Sequence, residues 1–87
     1  MPANQSPELP LALGQAVRAL RLARGITQEQ LAEAAGLHPR YVNDVERGRR
    51  NIGISNVDRL AQGLSVDLPT LMTEVETLRE AIARERA

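Results

Sequence analysis

The sequence predicts an all-α domain of five helices, and three observations support this. Apolar residues recur at spacings of three and four along most of the chain, and no segment shows the two-residue period of a strand. Aromatic residues are nearly absent, with one Tyr, no Phe and no Trp, so that Leu, Ile, Val and Ala must build the core. At 87 residues the chain forms one domain at most, with one small core.

Several classes of protein are excluded by composition. The chain has no Cys, and His38 is its single histidine, so that a disulfide framework and a Cys- or His-rich metal site are excluded. Its amino end lacks a basic stretch followed by an apolar run, so we expect no secretory signal, and no segment approaches the roughly 20 apolar residues of a membrane span. We therefore expect a cytoplasmic protein with no cofactor, no metal and no membrane partner. No Ser-plus-acid arrangement lies near the histidine in sequence, which argues against an enzyme.

The net charge is zero, but charge is unevenly distributed along the chain. Residues 1–50 carry an excess of two positive charges, and residues 51–87 carry the balancing negative excess. All eleven basic residues are arginine, which suits bidentate contacts with phosphate and guanine, although genome composition gives the same bias. Any non-specific affinity for nucleic acid should be modest and salt-sensitive.

The amino end predicts a flexible arm followed by the first helix. Residues 1–10 contain three prolines and no periodicity, whereas residues 11–24 place apolar side chains on one face. Gly25 then ends the helix.

The second helix is predicted over residues 28–35. Thr27 is its N-cap, and Gln30 stands at the third helical position, which is the spacing of a capping box. Gly36 ends this helix.

The third helix is predicted over residues 39–47, with Pro39 in the first helical position and His38 as an N-cap. Gly48 ends it. Two short helices joined by a glycine turn, the second with polar residues on its outer side, are typical of a helix-turn-helix, whose second helix can enter the major groove of DNA.

Two further helices complete the domain. The fourth is predicted over residues 56–64 after a Ser55 cap, and the fifth follows an Asp67 cap and runs to the end of the chain.

These segments resemble a known family. The stretches that carry the resemblance are Gly25-Ile26-Thr27-Gln28, Gln30-Leu31-Ala32, Ala35-Gly36-Leu37 and Val45-Glu46-Arg47-Gly48-Arg49-Arg50-Asn51. Residues 11–72 are similar to the compact five-helix, lambda-repressor-like DNA-binding domain of the Xre-like (Cro/C1) regulators. Arg40-Tyr41-Val42 and residues 46–52 look most like the controller proteins of restriction–modification systems, which are DNA-binding homodimers. Two residues depart from the family. Pro39 replaces a hydrogen-bonding residue. Ser65 stands where the family commonly has Gly, so either Ser65 adopts a left-handed conformation or the fourth helix ends early at Gly63.

Three residues of the third helix are candidates for reading bases. Arg40 suits guanine O6 and N7, and Asn43, three residues on, suits adenine; Arg40 also suits a phosphate or solvent. Tyr41 either contacts DNA or covers the edge of the core. Asp44 either accepts from cytosine N4 or lies on a solvated helix face.

The remaining contacts are expected to be with phosphate, which sets register and carries affinity. Gln28 stands at the start of the second helix, where backbone N–H groups attract anions. The other candidates at the ends of the third helix are His38, Arg47, Arg49, Arg50 and Asn51. The resemblance also implies a structural ion pair between Arg21 and Glu46.

The fifth helix carries apolar residues at heptad spacing, namely Leu68, Leu71, Val75, Leu78 and Ile82. The first three either close the core or contribute to a seam. Leu78 and Ile82 are too far along the helix to reach a small core easily. We therefore expect residues 73–87 to be a dimerisation extension of a DNA-binding domain spanning 11–72.

The sequence thus predicts a sequence-specific DNA-binding transcription regulator that binds a pseudo-palindromic operator as a homodimer without a small-molecule ligand. The resemblance implies a controller that regulates its own restriction–modification operon. Two alternatives stay open at this point. One is the antitoxin of a toxin–antitoxin pair, and the other is a helical protein–protein interaction module that binds no DNA.

Overall fold

The computed structural model describes residues 8–86 and consists of five helices within that range, with no strand. The helices are α1 (Glu8–Arg24), α2 (Gln28–Ala35), α3 (Pro39–Glu46), α4 (Ile54–Gly63) and α5 (Leu68–Arg86). The predicted all-α class and the order of its five helices are confirmed. None of the helices in this range is long and apolar enough to cross a membrane.

The start of α1 differs from the prediction. Most of the expected arm, residues 1–7, lies outside the described residues, but residues 8–10 form the first turn of α1. Pro10 is tolerated there because the N–H groups of a first turn have no partner within the helix. Glu8 in the same turn is favoured by the positive end of the helix dipole.

The predicted capping residues agree with the structure at α5 but not at α4. Gly53, not Ser55, is the N-cap of α4, and no side chain caps this helix. Asp67 accepts the hydrogen bond of the Thr70 backbone N–H at 2.9 Å, as expected of a cap. Hydrogen bonds from Thr70 hold the pKa of Asp67 below its usual value.

At the end of α4 both predicted alternatives occur, because Ser65 is left-handed and the helix ends at Gly63. Ser65 has a φ of 58° and is the residue in the left-handed conformation. Gly63 is the last helical residue, and its small size serves packing, because an added Cβ would lie 3.0 Å from Leu31 Cδ1 and 3.1 Å from Ala35 Cβ. The glycine therefore lets α4 approach α2 closely.

Most residues of the predicted dimer seam on α5 lie in the core of the chain, and the expectation that Ile82 is too far along the helix to reach that core is wrong. Leu71, Val75 and Ile82 are buried within the chain and belong to its single apolar core, with Leu68 and Leu78 packed against that core. The reason is the length of α1, which begins at Glu8 and lies alongside α5. An ion pair of 3.5 Å between Arg86 and Glu8 joins their ends. The apolar side chains of residues 73–86 therefore pack in or against the same core.

A glycine in the middle of α1 positions the helix-turn-helix. Gly14 is buried where α1 meets the carboxyl end of α3, and an added Cβ would lie 2.8 Å from the carbonyl oxygen of Glu46. No side chain larger than hydrogen fits without a shift of the backbone. Gly14 thus allows the close contact that holds α3 against the core, with its outer side exposed.

Candidate DNA interface

Local hydrogen bonds determine where α2 and α3 begin. The Thr27 hydroxyl accepts from the Gln30 backbone N–H at 3.0 Å, and the side-chain Oε1 of Gln30 accepts from the Thr27 backbone N–H at 2.9 Å, so that the predicted capping box is confirmed. His38 is the N-cap of α3, and its Nδ1 accepts from the Arg40 N–H at 3.0 Å. This bond leaves the Nε2–H of His38 as a possible donor to a phosphate.

The turn between the two helices depends on Gly36, which has a φ of 70°. Its N–H donates to carbonyl oxygens at the end of α2. The turn brings the exposed side of α3 next to the start of α2, so that one surface collects side chains from both helices.

A shallow polar depression lies on this surface. The predicted contact residues that line it are Gln28, His38, Arg40, Asn43, Arg47 and Arg49, and they are joined by Glu29, Pro39 and Asp44. Tyr41, Arg50 and Asn51 do not line the depression. Arg50 and Asn51 border an adjoining apolar groove, and Arg50 also contacts Asp44 of the depression.

Three arginines of the depression have unengaged guanidinium groups. Among residues 8–86, the side chains of Arg40, Arg47 and Arg49 make no hydrogen bond or ion pair, and all three are exposed. Unpaired guanidinium groups on an exposed helix and the following loop carry five donors each and no acceptor. The surface is therefore complementary to a polyanion.

Beneath the depression, Arg21 of α1 and Glu46 of α3 form the expected buried ion pair. Arg21 Nε donates to Glu46 Oε2 at 2.6 Å, and a second guanidinium nitrogen donates to Glu46 Oε1 at 3.0 Å. The hydrogen bond to Glu46 raises the pKa of Arg21. Because Arg21 also donates to the Ile26 carbonyl oxygen at 2.9 Å, the pair joins α1, α3 and the turn before α2.

The same carboxylate orients two residues of the depression. Gln28 Nε2 donates to Glu46 Oε1 at 3.0 Å, and Gln28 Oε1 accepts from Asn43 Nδ2 at 3.1 Å. A carboxylate only accepts, so the Gln28 amide must present its nitrogen to Glu46 and its oxygen to Asn43. Asn43 therefore keeps its Oδ1 and one N–H, which are the acceptor and donor needed for adenine.

A second cluster surrounds Tyr41. The Tyr41 hydroxyl accepts from Asn56 Nδ2 at 3.1 Å, and its half-buried ring packs against the core. The Arg50 guanidinium carbon lies 5.0 Å from the centre of this ring, within the range of a cation–π contact. The same guanidinium contacts Asp44 Oδ2 at 3.4 Å.

Sequence reasoning missed several of these contacts. Asn56 was assigned only to the start of a helix, and the link from Glu46 through Gln28 to Asn43 was not anticipated. The sequence has no signal for these side-chain contacts. It has one only for the close approach of α1 to α3, because a glycine inside a helix, here Gly14, often marks such an approach. Within residues 8–86, no group of three His, Asp or Glu side chains is arranged to hold a metal ion.

An exposed recognition helix with unpaired arginines, supported by a capped turn and a buried ion pair, defines the class of helix-turn-helix DNA-binding proteins. The profile of the helix-turn-helix family matches residues 17–71. The chain therefore belongs to the Xre-like helix-turn-helix family of DNA-binding transcription regulators, a family of non-enzymatic proteins.

Known members of the family resemble this chain over most of its length. The control protein C.SmaI of Serratia marcescens is 43% identical over 61 residues, which cover 70% of this chain and 73% of C.SmaI. The restriction–modification controller C.AhdI of Aeromonas hydrophila has a TM-score of 0.69 and 42% identity, covering 71% of this chain and 94% of its own. The restriction–modification controller C.Esp1396I was solved as a tetramer with its natural 35-base-pair operator. It has a TM-score of 0.78 and 27% identity, covering 82% of this chain and 93% of its own. The predicted resemblance to controller proteins is confirmed.

Proposed function

We propose that this protein is the controller of a restriction–modification operon, which binds a pseudo-palindromic operator as a homodimer and regulates its own expression. The observation that carries the DNA-binding part is the polar depression on α3, with its unpaired arginines. The similarity to C.SmaI and C.AhdI supports the assignment to a controller. Such a regulator acts in the cytoplasm, where its operator lies.

Base recognition is assigned to Arg40 and Asn43. Arg40 lies in the first turn of α3, the part of a recognition helix that approaches base edges. Asn43 is three residues on, which places it on a neighbouring part of the helix surface. Its amide is already oriented through Gln28, so that binding need not restrict it further. Tyr41 is kept as a third candidate, because its ring supports Arg50 at the border of the surface.

Phosphate contacts are assigned to residues at the two ends of α3 and at the start of α2. His38 and Arg47 flank the helix, and Arg49 follows in the loop. Gln28 has its amide engaged by Glu46 and Asn43, so its contribution comes from its remaining N–H and from the backbone at the positive end of α2. Arg50 and Asn51 contact the same backbone farther along the loop.

We assign the dimer interface to an apolar patch instead of the α5 seam. The patch consists of Leu9, Ile54 and Met72, which are exposed and line one groove. Arg50 and Asn51 border this groove. A second copy of the chain bound there would lie beside the DNA-contacting loop, as required when two reading heads share one duplex. The tetrameric assembly of C.Esp1396I on its operator supports a regulator with paired subunits.

Sedimentation of two matched variants tests this interface. Ile54 is 69% exposed and Leu22, on α1 outside the patch, is 51% exposed, so that a charge at either position should leave the fold intact. Ile54→Glu should raise the dissociation constant of the dimer at least about tenfold, because a charge would be buried at the interface. Leu22→Glu should have no such effect. An Ile54→Glu protein that still sediments as the wild-type dimer would refute the patch.

The function itself is tested by selecting bound duplexes from a random pool at two salt concentrations. We expect enrichment of an inverted repeat whose half-site centres lie about 10 base pairs, or a multiple of that, apart. The affinity should fall steeply between the two salt concentrations. Recovery of a random pool even at the lower salt concentration would contradict sequence-specific binding.

A further inference from the structure

Two acidic side chains, Glu29 and Asp44, stand among the arginines of the proposed DNA surface, and Asp44 has a specific arginine partner. Asp44 lines the polar depression together with Arg40, Arg47 and Arg49. Its carboxylate lies 3.4 Å from a guanidinium nitrogen of Arg50. A carboxylate at this position opposes a polyanion, and the role of a phosphate-binding surface does not account for it.

The structure holds Arg50 in place from two sides. The guanidinium lies over the ring of Tyr41, and the Tyr41 hydroxyl is bonded to Asn56 of α4. Asp44 forms the ion pair with the same guanidinium. Arg40, Arg47 and Arg49 have no comparable partner in the described part of the chain. Among the arginines proposed to contact DNA, only Arg50 must therefore give up a carboxylate partner when it binds phosphate.

We infer that Asp44 is a specificity-determining residue that disfavours binding to non-cognate DNA by competing with phosphate for Arg50. The inference rests on the proposed function. Non-specific binding consists almost entirely of phosphate contacts. When the Asp44 carboxylate competes for Arg50, the affinity for non-cognate DNA therefore falls by the full value of that contact. On a cognate site that presents a cytosine N4–H opposite α3, the released Asp44 carboxylate gains a donor. On other sites the Asp44 carboxylate either stays paired with Arg50, or it loses Arg50 and faces a phosphate without a donor.

The test measures binding of the selected duplex and of a scrambled duplex of the same composition, at several salt concentrations, by fluorescence anisotropy. Asp44→Asn keeps the shape of the side chain and leaves the backbone bond from the Arg49 N–H to the Asp44 carbonyl oxygen intact. Glu80→Gln, an exposed position on α5, is the control for the change in net charge. Unfolding curves establish that both variants are folded.

We expect Asp44→Asn to bind the scrambled duplex about five- to tenfold more tightly at 0.1 M salt, with a salt slope steeper by about 0.9, as for one added phosphate contact. The selected duplex should gain about twofold or less, so that the ratio of the two affinities falls. Glu80→Gln should leave this ratio unchanged. In an Arg50→Gln background, Asp44→Asn should no longer strengthen binding to the scrambled duplex.

Four outcomes would overturn the inference. If Asp44→Asn and Glu80→Gln change the ratio of the two affinities equally, Asp44 acts only through the net charge of the protein. A full effect that persists in the Arg50→Gln background would mean that Asp44 repels phosphate directly. A loss of affinity for the selected duplex alone would make Asp44 an ordinary base contact. A wild-type protein that binds neither duplex would overturn the proposed function first, and this inference with it.

Discussion

Two arginine–carboxylate pairs hold α3 to its neighbours, one to α1 and the other to the loop that follows α3, and the two pairs differ in burial. In the pair between Arg21 and Glu46 the atoms are 2.6 Å apart, and the two side chains are 10% and 2% exposed. In the pair between Arg50 and Asp44 the distance is 3.4 Å, and the side chains are 50% and 23% exposed. In these two pairs the same functional groups therefore meet in two environments, one inside the domain and one at its surface.

Burial decides what each pair can do. Neither member of the buried pair has water or salt as a replacement partner, so removing one leaves the other uncompensated. The exposed pair contributes about 0–1 kcal/mol, and a phosphate can replace the carboxylate. The first pair thus belongs to the fold, whereas the second leaves Arg50 available for a ligand. The same comparison orders the expected effects of mutation.

The largest effect is expected for Glu46→Ala. Arg21 would remain buried without its anion, and Gln28 would lose the acceptor that orients it. Urea unfolding should show a loss of about 3 kcal/mol or more in the free energy of unfolding. Glu33→Ala, at an exposed position of α2, is the control and should change stability by less than about 0.5 kcal/mol. A Glu46→Ala melt indistinguishable from that of the wild type would remove the distinction between the two pairs.

An intermediate effect is expected for Gly14→Ala, which alters the approach of α1 to α3 without touching either charge. The added Cβ would meet backbone atoms of Val45 and Glu46, so that the helices must separate. We expect a loss of about 1–3 kcal/mol. Gly53→Ala, where an added Cβ meets no atom within 4 Å, should cost less than about 1 kcal/mol. Equal costs at the two positions would mean that the buried pair does not depend on this contact.

The smallest effect on stability is expected for Arg50→Ala, which removes the exposed pair. Its free energy of unfolding should stay within about 1 kcal/mol of the wild-type value. Binding of the selected duplex should weaken, and its salt slope should fall by about 0.9, whereas binding of the scrambled duplex should change little, because Arg50 stays paired with Asp44 on non-cognate DNA. If Arg50→Ala destabilises the protein as much as Glu46→Ala does, the exposed pair is structural and unavailable to phosphate.

Local signals in the sequence were sufficient for the elements that these pairs connect. Thr27 and Gln30 predicted the capping box, and Gly36 predicted the turn, because the atoms involved lie within a few residues of each other. Non-local packing was harder. Pro10 suggested an arm, although it stands in the first turn of α1, and the longer α1 is what buries Ile82.

The side-chain network of the site was predictable only in part. The Arg21–Glu46 pair followed from the resemblance to the family, and the structure confirms it. The bonds from Glu46 to Gln28 and from Gln28 to Asn43 depend on the orientation of two amides on different helices. No periodicity or spacing encodes such an orientation. The apolar patch around Ile54 was missed for a similar reason, since its members come from three helices.

The central claim is that α3 reads DNA sequence through its exposed side, and Arg40 tests it most directly. The measurement is the binding free energy of wild type and Arg40→Ala for the selected duplex and for each of its single-base-pair variants. We expect Arg40→Ala to lose about 1–3 kcal/mol of discrimination at one base pair of each half-site and to keep the remaining preferences. Equal weakening of every duplex, or an unchanged preference at every position, would contradict the claim.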